Sequence, residues 1–155
     1  MINIVLYEPE IPANTGNIMR TCMAFHMHLH LIEPLGFSLD EKHLKRAGMD
    51  YVKNMHYTIY PNWKAFQEKN KGSFYYVSRY ATKTPDAFDY TNTEEDIYLV
   101  FGKESTGIPK DILYDNLDRC MRIPMVKEAR SLKEIKDCFD KFKIKKEEQD
   151  YCQYR

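Results

Sequence analysis

Residues 99–109 read LVFGKESTGIP, an apolar run that passes straight into a polar loop bounded by Gly102 and Gly107 and closed by Pro109. Glycine has no Cβ, so such a loop allows its backbone to approach a partner closely. Two other punctuated loops accompany it: EPEIPANTG after the apolar run INIVLY, and RIPMVKEARSL late in the chain. Arg20 stands one helical turn past the NTGN segment. Its side chain could point back toward the strand ends, or pair with a carboxylate at the surface. Glu8 and Glu10 are either an acid–base pair or ordinary loop surface. His26, His28 and His30 alternate, so their rings share one face of a strand edge. They are either metal ligands or, more simply, a solvent-facing row opposite Met27, Leu29 and Leu31, since zinc sites draw ligands from separate elements.

The common phosphate and hydrolase fingerprints are absent. GKESTG is not a P-loop, in which the lysine follows the second glycine and precedes Ser or Thr. No GxGxxG follows the first apolar run. HExxH and GxSxG are missing as well.

The elements that must position these loops alternate. Short apolar or β-branched runs predict strands at 2–7, 29–34, 56–61, 74–78, 96–101 and 119–125. Between them lie helical segments. NIMRTCMAF places Ile18, Cys22 and Phe25 at helical spacing, with Asn14 or Thr15 as the cap. Ser38 and Glu41 form a capping-box signature ahead of a helix over about 39–47, stopped by Gly48. Asn62 caps NWKAFQEKNK, Pro109 opens a helix to about Tyr114, and Ile135, Cys138, Phe139 and Phe142 form an apolar stripe in a helix from Ser131. Strands separated by helices predict an α/β fold with a mostly parallel sheet flanked by helices. In such sheets ligands bind beyond the carboxyl ends of the strands, where all three loops fall.

At 155 residues, the chain reads as one domain over 1–155, with residues 131–155 as a C-terminal helix and charged tail. A 43% apolar and 30% charged composition supports a real core. Lys plus Arg and Asp plus Glu both number 23, so no global positive field steers a polyanion in, although a local basic face is compatible with this balance. Lys45 and Arg46 form one small basic cluster, which by itself reads as a solvated face. No apolar run is long enough for a membrane span and Met1 leads directly into a strand, which points to a cytoplasmic protein. Cys22, Cys120, Cys138 and Cys152 lack CxxC spacing and read as reduced thiols, so no metal is expected.

Taken in order, EPEIPANTGNIMRTC, VFGKESTGIP and MRIPM…RSL resemble the three signature motifs of SPOUT-superfamily RNA ribose 2'-O-methyltransferases. HLIEPLGFS and LKRAGMDY resemble the small TrmL-like group within it, which modifies the wobble nucleotide 34 of tRNA. The resemblance covers about residues 1–132. It implies a SPOUT-type fold with a C-terminal trefoil knot, S-adenosylmethionine as methyl donor, the tRNA anticodon loop as partner and a homodimer. Position by position it implies Val77, Ser78, Gly102, Glu104, Ile123 and Ser131 as cofactor-binding residues, with Gly107 shaping the same loop as Glu104. Arg20 would activate the ribose hydroxyl, and Asn14, Arg20 and Arg46 would contact the RNA.

The match breaks after Leu132. Family members typically continue RSLNLSN into an apolar helix, whereas this chain continues RSLKEIKDCFDKFKIKK. Lys133 and Glu134 replace a compact polar turn that normally lines the cofactor pocket. The alternative expectation is therefore a catalytically impaired RNA- or nucleotide-binding relative.

Overall fold

Six parallel strands form one sheet in a computed structural model that describes residues 1–39, 56–91 and 94–124. The strands are β1 (Ile2–Tyr7), β2 (His28–Ile32), β3 (Tyr57–Tyr60), β4 (Ser73–Val77), β5 (Ile97–Phe101) and β6 (Cys120–Met121). Their order across the sheet is β3-β2-β1-β5-β4-β6, and every paired neighbour is parallel. The chain builds outward from β1 in one direction, then returns to its other side. The order thus reverses between β1 and β5, and a crevice forms at such a point beyond the carboxyl ends.

Helices cover both faces, so alternate side chains along each strand enter different cores. On one face Ile4, Leu6, Leu29, Leu31 and Phe101 pack with Met19 and Cys22 of α1 (Pro12–Ala24). On the other, Val5, Ile32, Tyr76, Tyr98 and Val100 meet Phe66 of α2 (Trp63–Lys69) and Leu113 of α3 (Lys110–Tyr114). The Asn62 side chain accepts from Ala65 N at 2.8 Å and caps α2 as its position predicts. Such a cap contributes about 1 kcal/mol.

Three readings change. The histidine row does not share one face: His26 is exposed in the turn before β2 with a positive φ of 52°, His28 is half-buried, and His30 is buried in the second core, because a parallel sheet is covered on both faces. Its Nδ1 lies 3.1 Å from the Tyr60 hydroxyl and its Nε2 lies 3.1 Å from Asn3 Oδ1. Asn3 Nδ2 donates to the carbonyls of Met1 and Ile97, so its Oδ1 accepts a hydrogen bond from Nε2–H, and Nδ1 accepts one from the Tyr60 hydroxyl. Burial first, then the charge of His28, lowers the His30 pKa to about 4. Second, α1 begins at Pro12, two residues before Asn14, and Thr15 is buried inside it. Third, β6 is two residues long rather than seven. Cys22 and Cys120 are buried free thiols. The helix expected over 39–47, Arg46, Ser131 and the C-terminal helix lie outside the described residues, except for Leu39 itself.

Candidate active site

The loops leaving β1 and β5 are fastened to each other by their own side chains. Beyond Tyr7 the chain turns through Glu8, which takes a positive φ of 46° while its N–H donates to the Ile32 carbonyl at 3.0 Å. Beyond Phe101 the loop folds back so that Gly107 N donates to Lys103 O at 2.8 Å. Residues at a spacing of two then meet in pairs. Lys103 Nζ donates to Glu8 Oε2 at 2.5 Å, and the Ser105 amide and hydroxyl each donate to the Glu10 carboxylate at 2.8 Å. The Ser105 hydrogen bonds hold the Glu10 carboxyl below its usual pKa, and the hydrogen bond to Glu8 raises that of Lys103.

Glu104, between these two, reaches the start of α1. Its carboxylate accepts from Glu10 N at 2.8 Å, Ile11 N at 3.2 Å and Asn14 Nδ2 at 3.2 Å. The helix has no side-chain cap of its own at Ile11. A carboxylate from the opposite loop satisfies amides that would otherwise be orphaned there, and its charge suits the positive end of the helix. Glu8 and Glu10 are therefore not idle surface; both join the loops.

Glycine is required at Gly102 by the loop itself. A Cβ there would stand 2.1 Å from Gly107 C and from Ile108 N. The close approach that its composition announces is to its own chain, two strands of one loop in contact. Gly107 needs its residue type for a different reason, a φ of 76° with nothing near its missing Cβ. Gly36, after β2, brings its backbone against Glu10 and donates to Pro9 O at 2.8 Å, so a third loop rests on the first.

Val77 and Ile123 pack against the core cluster that contains Phe101, the residue preceding Gly102. Ser78 N donates to Met121 O at 2.9 Å, which ties the end of β4 to β6. Val77, Ser78, Gly102 and Ile123 are thus gathered at the carboxyl ends of β4, β5 and β6. Glu104 and Asn14 meet each other at the neighbouring end of β1. Arg20 is exposed on α1, beside buried Met19. The pairing of Glu8 with Lys103 and of Glu10 with Ser105 was missed from the sequence. Its signal was the matched spacing of two in EPE and KES, a pattern shared by many loops.

Residues 1–133 match the SpoU rRNA Methylase family. The chain is 48% identical over 132 residues to a Bacillus subtilis protein provisionally named tRNA (cytidine(34)-2'-O)-methyltransferase, covering 84% of this chain and 82% of that one. A solved structure described as giving insights into the 2-OH methylation of C/U34 on tRNA is 37% identical, with a TM-score of 0.75 over 85% of each chain. An AdoMet-bound rRNA methyltransferase from Sinorhizobium meliloti shares the fold, at 22% identity and a TM-score of 0.70 over 84% of this chain and 50% of that one.

Proposed function

The chain belongs to the SpoU rRNA Methylase family, and we propose from that premise that it methylates the ribose 2'-hydroxyl of nucleotide 34 of tRNA, with S-adenosylmethionine as donor. The observation that carries this reading is the similarity to proteins named for methylating nucleotide 34 of tRNA over more than four-fifths of the chain. Val77 and Ile123 suit an adenosyl group, since they offer partly buried apolar side chains at neighbouring strand ends, and backbone groups of the same segments can serve the ring edge. Ser131 would complete that pocket. S-adenosylmethionine supplies a methyl carbon activated by a sulfonium, whose sulfur leaves neutral.

The residues of this chain must then orient the attacking oxygen and manage its proton. Orientation alone can contribute about 7–11 kcal/mol to lowering a barrier when the reacting atoms are aligned. Arg20 does not act as a base, because a guanidinium stays protonated to a pKa above about 12. It lowers the pKa of the 2'-hydroxyl and grips a neighbouring phosphate, while a phosphate oxygen or water takes the proton. Glu104 acts through α1: it holds the helix that carries Asn14 and Arg20 at a fixed angle to the β5 loop. Arg46 adds a phosphate contact. The trefoil knot, homodimer and cytoplasmic residence belong to the same proposal and rest on the family resemblance.

The test is transfer of labelled methyl groups from S-adenosylmethionine to unmodified tRNA, with the product nucleotide mapped. Label at the 2'-oxygen of nucleotide 34 is expected; purified protein that labels no tRNA yet binds it would favour the impaired-relative reading that the segment after Leu132 suggests. Arg20→Ala is expected to lower the rate about 100- to 1,000-fold, the range of one lost electrostatic stabiliser. Methylation by that variant at the normal rate would remove the role given to Arg20.

A further inference from the structure

We infer that Arg79 and Tyr80, on the turn leaving β4, form a stacking platform for an unpaired base of the RNA substrate next to its target nucleotide. The inference rests on the tRNA reading above and adds a contact to it.

Tyr80 is 62% exposed, a large aromatic ring standing out from the protein. It is nonetheless held. The Arg79 side chain bends back so that Nη2 donates to the Tyr80 hydroxyl at 2.7 Å, and its guanidinium carbon lies 4.8 Å from the ring centroid. The backbone beneath is fixed too: Tyr80 N donates to Ser78 Oγ at 3.2 Å, Ala81 N to Ser78 O at 3.2 Å, and Ser78 N to Met121 O. The ring is therefore pre-positioned two residues from Ser78, at the edge where the methyl donor is placed.

Cations and anions are equally frequent along the segments at this edge, where Asp86, Asp89, Asp111, Asp115 and Asp118 are exposed. Arg79, Lys83, Lys110, Arg119 and Arg122 are all exposed. Arg122 N donates to Lys83 O at 2.7 Å, which joins the loop after β4 to the segment after β6. Lys83 Nζ reaches the Asp118 carbonyl at 3.3 Å, and Arg119 lies over the Tyr75 ring at 5.3 Å. The hydrogen bond from Arg79, then its charge, lowers the Tyr80 pKa, and Lys110 is near enough to lower it further. Asp86 and Asp118 are interspersed among these residues. A planar cation fixed over one face of a ring leaves the rest of the ring for a second planar partner. Unpaired RNA bases are recognised by this pairing of an aromatic face with an arginine plane. A protein partner would instead call for contiguous apolar surface, and the neighbours of Tyr80 in the turn, Arg79 and Ala81, do not provide it.

The test measures binding of an anticodon stem–loop RNA and, separately, of S-adenosylhomocysteine. Tyr80→Ala is expected to weaken RNA binding about 5- to 100-fold, the range of one lost base–aromatic stack, with S-adenosylhomocysteine binding unchanged. Tyr80→Trp should bind RNA within a few-fold of wild type, since it keeps a π face. Arg79→Ala, which releases the ring, should weaken RNA binding less than Tyr80→Ala does, with S-adenosylhomocysteine binding unchanged. Wild-type RNA affinity in Tyr80→Ala overturns the inference. So does loss of S-adenosylhomocysteine binding with RNA binding intact, which would assign the ring to the donor pocket. If the wild-type protein binds no RNA, the tRNA reading itself falls and takes this contact with it.

Discussion

Gly102 and Gly107 look interchangeable in the sequence and are opposite in physics. Gly102→Ala would push a Cβ into backbone atoms at 2.1 Å, so the loop must open; Gly107→Ala meets nothing but must hold a left-handed φ. Thermal melts should show Gly102→Ala to be the more damaging, by about 3 kcal/mol or more against about 1–2 kcal/mol for Gly107→Ala. The sequence announced a close approach at this loop without revealing that the partner was the loop itself. His30 was hidden for a related reason. Alternation tells which residues share a face, but not whether that face is wet, and only the covering helix decides. Because the folded-state pKa lies below the unfolded value of 6.5, the unfolded chain binds more protons between about pH 6.5 and 4. Stability must therefore fall as pH drops through that window, by on the order of 2–3 kcal/mol from this residue. Urea unfolding across the window should show a shallower dependence in His30→Leu than in wild type. An equal dependence would remove the buried Asn3–His30–Tyr60 chain as its source.

At the scale of elements, the β1, α2 and β5 assignments follow from periodicity and capping, and the structure retains them within a residue or two. The start of α1 did not follow, because its cap comes from Glu104, about 90 positions away. No local pattern carries such information. Glu104→Ala leaves the Glu10 and Ile11 amides and the Asn14 amide group without their acceptor. It should cost about 1–2 kcal/mol of stability, and methyl transfer should fall more than S-adenosylhomocysteine binding, since α1 carries Arg20. Unchanged stability and unchanged transfer would show that the two loops keep their relation without this carboxylate. The Glu10–Ser105 pair has a sign that can be read in acid. Its lowered pKa means that its contribution is present above the ordinary carboxylate value of 4.5 and is lost as pH falls toward the folded one.

For the whole molecule, the parallel α/β class was readable because strands alternate with helices, and the candidate site was drawn from punctuated loops that fall at strand ends. The strand order was not readable, since nothing local says that β5 lies beside β1. If the gathered loops bind the donor only in the native state, S-adenosylhomocysteine at about 100 times its dissociation constant should add about 2.7 kcal/mol of stability. A melting temperature that does not respond to either form of the donor would count against the cofactor assignment. The strand order also bears on how the protein is made. β1 leaves the ribosome first and finds β2 by residue 32, yet its other neighbour is synthesised only at residues 97–101. Until then a nascent chain displays one apolar strand with an open hydrogen-bonding side, the kind of surface that recruits chaperones or seeds precipitation. A fragment stopped at residue 96 should be insoluble or chaperone-bound, whereas a chain that includes β5 closes the gap.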